Sequence, residues 1–336
     1  MSDPTVTIIW AGLLAAAVLF YVLLDGFDLG VGILFLAERD RPSRDVMVNS
    51  IAPVWDGNET WLVMGGGGLF AVFPLAYAVI LPALYPVLIA MLLALILRGV
   101  AFEFRFKAIA AGRFWWDVAF CAGSTLAAFC QGLALGGLLQ GIKVADNAYA
   151  GGWWDWLTPF TLLCGLAVVI GYALLGAAWL IWRTEGPMQA RNRALTGWLA
   201  LATLGLIGIV SIWTPFLNPR FAARWFHWPG IALTSPVPLL VAALAALMWH
   251  GLRRHHHITP LIAAMGWFVL CYVGLGISFW PLIIPPDITI FQAAAPPASQ
   301  EFLLVGALIM FPIILAYTGY AYWTFRGKIS HDSGYH

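Results

Sequence analysis

Residues 21–61 read YVLLDGFDLGVGILFLAERDRPSRDVMVNSIAPVWDGNETW. Two apolar runs carry acids inside this stretch: Asp25 and Asp28 in LLDGFDLGVG, then Asp56 and Glu59 in APVWDGNETW. A carboxylate at bilayer depth costs several kcal/mol unless it is paired, protonated or hydrated. Four so close together, in an otherwise apolar chain, point to a route or a site for protons or cations.

The rest of the composition fixes the class. Of 336 residues 62% are hydrophobic and 10% charged, with a mean hydropathy of +0.86. Soluble domains carry about 25% charged residues, so this is a membrane chain. Its 18 tryptophans fit aromatic belts at the two interfaces. A net charge of +1 gives no support for nucleic-acid binding. Cys121, Cys130, Cys164 and Cys271 all fall in apolar runs, so neither a disulfide framework nor a zinc site is indicated. The N-terminus lacks Lys and Arg and its first apolar run is too long for a cleaved signal peptide.

Apolar windows of about 20 residues predict an all-α polytopic fold, one membrane domain over 1–336. Nine spans are expected, at about 8–36, 52–74, 77–104, 116–141, 156–182, 195–217, 235–252, 258–285 and 302–325. Phe73-Pro74-Leu75 marks a turn between the second and third, and Pro82 and Pro86 predict a kink after it. Basic residues then set the orientation. Arg39, Arg41, Arg44, Arg105, Lys107, Arg113, Arg183, Arg191, Arg193, Arg253, Arg254, Arg326 and Lys328 fall on the C-terminal side, against Lys143, Arg220 and Arg224 opposite. The positive-inside rule puts the C-terminus in the cytoplasm and the N-terminus outside.

Depth becomes readable from that orientation. Asp25 and Asp28 lie in the inner half of the first span, Asp56 and Glu59 shallow in the second, with Arg98 and Glu103 near the inner end of the third. Spans four to nine carry no charge in their cores, so intramembrane charge is confined to the first three. This fits an aqueous half-channel from the cytoplasm better than a pore across the bilayer. Asp25 and Asp28, three apart, share a helix face as a proton-accepting pair or as a structural pair neutralised by Arg98. Gly26, Gly30 and Gly32 would allow close helix packing around them. Asp56 and Glu59, beside Trp55, Asn58 and Trp61, form an entry funnel, or else Asp56 anchors a helix start. Gly65, Gly66, Gly67 and Gly68 lack the GK[ST] of a phosphate loop and mark the close approach of another helix or subunit.

The histidines inform by position. None of His227, His250, His255, His256, His257, His331 and His336 falls near mid-span, where a membrane haem takes an axial ligand, and Met64, Met91 and Met310 are packing residues. No metal site is expected, His255–His257 reading as a solvated basic turn.

The strings DGFDLGVG (25–32), NSIAPVWDGNETWL (49–62), GGLFAVFPLAY (67–77), FWPLIIPP (279–286) and FPIILAYTGYAYW (311–323) resemble subunit II of bacterial cytochrome bd quinol oxidases. The WDGNETWLVMGGGG wording is closer to the cyanide-insensitive branch. The resemblance implies two four-helix bundles plus a peripheral helix, paired with a similar subunit I. That partner would carry haem b and haem d (or its b-type replacement) and oxidise quinol. It also implies that this subunit binds no haem, that a structural quinone and a small single-helix accessory subunit are allowed, and that cytoplasmic protons pass its acids to the oxygen site. Asp25, Asp28 and Asp56 stand at the matching motif positions, and Glu59 stands where relatives can carry Gln. The rival readings are a stand-alone cation-coupled transporter, which would show paired broken helices and repeats, and an assembly subunit with inert carboxylates.

Overall fold

A computed structural model describes residues 4–109 and 112–329; His331 and His336 lie outside them. The helices are α1 (Pro4–Leu34), α2 (Arg41–Ile51), α3 (Trp55–Val72), α4 (Pro74–Lys107), α5 (Arg113–Gln140), α6 (Pro159–Arg183), α7 (Gly186–Leu217), α8 (Pro219–Phe226), α9 (Gly230–Thr234), α10 (Pro236–Arg253), α11 (Thr259–Phe279), α12 (Ile290–Ala293) and α13 (Pro297–Thr324). Eight helical stretches are long and apolar enough to cross a membrane: those of α1, α4, α5, α6, α7, α9 with α10, α11 and α13. The expected second span is α3, which is less apolar because Asp56, Asn58 and Glu59 fill its first turns and Gly65–Gly68 its middle.

Prolines set many of the starts. Pro74 opens α4 directly after Phe73, whose φ of −124° and ψ of 60° break the helix there. A first-turn proline lacks only an N–H that would be orphaned anyway. Pro82 and Pro86 lie inside α4, which runs on to Lys107. Thr158 caps α6 reciprocally with Thr161, taking its backbone N–H at 3.2 Å and giving its own to Thr161 Oγ1 at 2.9 Å.

Small residues bring the helices together. A Cβ on Gly30 of α1 would land on the Tyr172 carbonyl of α6, and one on Gly176 on the Gly30 backbone. Gly132 of α5 meets Cys164 of α6 in the same way, and Gly123 of α5 would place a Cβ 2.7 Å from the Ala94 carbonyl of α4. Backbone contact of this kind maximises dispersion where lipid supplies no hydrophobic drive. Around it lies a core including Phe27, Phe35, Phe120, Tyr172 and Trp179. Burial falls outward, from 61% of the α6 span to none of the α13 span.

Among the described residues the regular structure is helical, as expected, apart from two short ribbons, β1 (Val144–Ala145) with β2 (Ala148–Tyr149) and β3 (Leu282–Ile284) with β4 (Ile288–Thr289). Asp146 and Asn147, at φ 49° and 60°, make the left-handed corner of the first ribbon. The span expected over 258–285 stops at Phe279 because Pro281, Pro285 and Pro286 cannot donate to a helix ladder. Helix α7 begins at Gly186 rather than 195, so its first turns carry Arg191 and Arg193 beyond the apolar window.

Candidate functional site

Helix α1 presents Tyr21, Asp25 and Asp28 on one face, one turn apart. Both acids are fully buried, at 0% exposure. Across from them α4 brings Arg98, whose Nη1 donates to Asp25 Oδ1 at 2.7 Å and lies 3.3 Å from Glu59 Oε1 of α3. Asn58, one residue before Glu59, donates its Nδ2 to Asp28 Oδ2 at 2.7 Å and to the Leu24 carbonyl at 3.3 Å. Tyr322 of α13 completes this line by donating to Asn58 Oδ1 at 2.9 Å.

A neutral chain continues on the other side. Gln131 Nε2 of α5 donates to the Tyr21 hydroxyl at 2.8 Å, and Tyr172 of α6 donates to Gln131 Oε1 at 2.7 Å. Asp25 Oδ2, Asp28 Oδ1, and Nε and Nη2 of Arg98 are buried without a hydrogen-bond partner. Three acids therefore face one base.

Not every residue singled out from the sequence joins this cluster. Asp56 is exposed in the first turn of α3, where its carbonyl accepts from Thr60 Oγ1 at 3.4 Å. Glu103 is exposed on α4. Trp55 is half-buried, its ring 4.9 Å from that of Phe102, and a Cβ on Gly99 would lie 3.6 Å from it. Of the glycine run, Gly65 and Gly68 face Val18 and Leu14 of α1, while Gly66 and Gly67 meet nothing within 4 Å.

A second charged cluster was not foreseen. Asp117 of α5, 4% exposed, accepts from Arg105 Nε at 2.5 Å and from Arg44 Nη1 at 2.8 Å. Asp45 lies 2.7 Å from Arg105 Nη1 and 2.5 Å from Arg113 Nη2. Glu38 pairs with Arg191 at 2.5 Å. Buried charge thus extends past the first three spans, to the start of α5 and, at Arg183, the end of α6. The available signal was an acid in the second turn of an apolar helix, at Asp117.

The described histidines do not fit a haem: His227 follows α8, His250 sits in the last turn of α10, and His255–His257 lie in the loop before α11. Among the described residues no group of three or more His, Cys, Asp or Glu is placed to hold a metal ion.

The chain is 29% identical over 361 residues to the Escherichia coli K12 protein named cytochrome bd-I ubiquinol oxidase subunit 2, covering 96% of this chain and 95% of that one. It is 28% identical over 343 residues to the Bacillus subtilis protein named cytochrome bd ubiquinol oxidase subunit 2, covering 96% of each. Its fold matches a chain of the bd oxidase structure from Geobacillus thermodenitrificans with a TM-score of 0.74 at 16% identity, over 93% of this chain and 96% of that one. The spans and these relatives together make it an integral inner-membrane protein. Residues 6–325 match the family model of cytochrome bd terminal oxidase subunit II, and the chain belongs to that family.

Proposed function

We propose that this terminal oxidase subunit is the haem-free half of a quinol:oxygen oxidoreductase, with nine spans, the N-terminus outside and the C-terminus in the cytoplasm. Its partner, a subunit I, carries haem b and haem d (or b), oxidises quinol and reduces oxygen to water. When bound there, those haems would carry the electrons released by quinol and supply the oxygen site, and this chain supports that subunit and feeds it protons. Uptake from the cytoplasm makes turnover generate a proton-motive force. The exposed Asp56 stands at the mouth, Glu59 and Arg98 follow, and Asp25 and Asp28 are the inner stations. A structural quinone and a small single-helix accessory subunit are compatible with this arrangement.

The observation that carries the reading is the surplus of acid: Asp25 and Asp28 are fully buried and, with Glu59, face Arg98. A counter-ion to one arginine needs no second and third acid beside it, whereas a relay needs neighbouring acids between which a proton can pass. In reconstituted vesicles with normal haem content, Asp25→Asn and Asp28→Asn are expected to slow oxygen reduction and charge translocation by about tenfold or more. Full turnover and full membrane potential in both variants would make the acids structural.

The partner seats on the open side of α3. Gly66→Leu with Gly67→Leu should loosen the heterodimer, because those positions meet nothing within this chain. Intact complex with normal haem content would misplace the interface.

A further inference from the structure

The last turn of α6 ends in Arg183, whose residue is 3% exposed and whose Nε and Nη1 are buried and unbonded. The other buried arginines described, Arg98 and Arg105, each face a carboxylate, Asp25 at 2.7 Å and Asp117 at 2.5 Å. Among the described residues Arg183 has none within ion-pair distance. Trp179 and Trp182 cover its guanidinium, with centroids 5.5 and 5.6 Å from Cζ. Ring faces attract the cation but accept none of its in-plane N–H bonds. Arg183 lines a cleft together with Ser50, Trp179, Trp182, Tyr322 and Phe325, with about 10 Å³ of water-sized space, room for one oxygen atom.

A water there would satisfy the N–H groups and leave the charge uncompensated. A phosphate oxygen does both, and the guanidinium fork matches phosphate geometry. The rim is basic as well: Lys328 Nζ donates to the Ile181 and Thr184 carbonyls at 3.2 and 2.9 Å, and Ile329 N donates to the Arg183 carbonyl at 2.8 Å. The cleft also lies where a membrane span ends among tryptophans, the depth of lipid headgroups. Basic pockets between membrane helices at that level hold anionic headgroups. We infer that the Arg183 cleft binds the phosphate of an anionic membrane lipid, one oxygen seated against the guanidinium.

The test uses the intact oxidase complex in nanodiscs of phosphatidylcholine, with or without phosphatidylglycerol. Native mass spectrometry is expected to find a phosphatidylglycerol retained by the wild type, lost about tenfold or more with Arg183→Gln and partly kept with Arg183→Lys, as removal of charged hydrogen bonds implies. Equal retention in wild type and Arg183→Gln overturns the site. A second measurement needs no variant: hydrogen exchange at the end of α6 should slow when phosphatidylglycerol is present. No change there also overturns the proposal. Slowing by inorganic phosphate alone, in phosphatidylcholine discs, assigns the site to free phosphate and overturns the lipid source.

Discussion

Asp117 and Asp25 are both buried acids paired with an arginine of α4, yet they are finished differently. Asp117 has each oxygen bonded to a guanidinium, Arg105 on one side and Arg44 on the other. Asp25 has one oxygen bonded to a guanidinium, that of Arg98, and Asp28 has one held by the neutral Asn58. The charge balance runs the same way. Around Asp117 two acids sit among Arg44, Arg105 and Arg113, while Asp25, Asp28 and Glu59 share Arg98 alone. A surplus of base makes a clamp with no vacant acceptor on its central acid, whereas a surplus of acid makes a place where protons can be taken up and handed on.

The largest effect should come from breaking the clamp. Asp117→Asn turns an N–H toward a guanidinium and leaves Arg105 with Asp45 as its remaining acid, a loss of about 3 kcal/mol. Yield of assembled complex and its thermal unfolding would read this, and normal assembly would remove the contrast between the clusters. Asn58→Leu comes next: it takes from Asp28 the amide donor and from Tyr322 the acceptor, costing about 1–3 kcal/mol. The complex should assemble, turn over slowly and shift its pH–rate profile; an unmoved profile would make Asn58 mere packing.

Asp56→Asn should be milder, slowing turnover by less than about fivefold, because an exposed charge acts through screened solvent. Loss equal to that of Asp25→Asn would place Asp56 inside the relay. The smallest effect concerns an exposed contact. Gln189 Nε2 donates to the Ile181 and Thr184 carbonyls at 2.8 Å and lies 2.9 Å from His257 Nδ1, a contact that an N–H on that ring nitrogen would oppose donor to donor. Burial lowers the His257 pKa, Lys328 and Arg193 add to this, and Glu185 opposes it. A lowered folded pKa means the contact is whole above the ordinary histidine range and is lost as pH falls through the folded value. Local amide protection at 186–190, corrected for intrinsic rates, should fall on acidification in the wild type and stay flat in His257→Gln.

The sequence disclosed what depends on near neighbours. Phe73-Pro74 marked the break between α3 and α4 because a proline imposes it locally. Arg98 stood out as the one base within a span, and it does meet Asp25. The start of α7 was missed because hydropathy reports where lipid begins, while the helix extends past that boundary on Pro187 and the polar residues after it. Arg105 and Arg44 read as basic residues on the inner side, and Asp117 is a lone acid at the edge of the fourth span. Their burial comes from α4, α5 and the segment after α1 closing together, with 73 residues between Arg44 and Asp117, and no local pattern encodes that.

Tyr322 gives the polar cluster a schedule. It reaches Asn58 from 264 residues further along the chain, on the outermost helix, and no helix follows it among the described residues. During synthesis α1 and α3 enter the membrane with Asp28 and Asn58 long before that phenol exists. The cluster is thus incomplete until α13 has left the ribosome. A chain truncated before α13 would carry Asn58 with a bare acceptor, a mark by which membrane quality control could tell an unfinished subunit from a finished one.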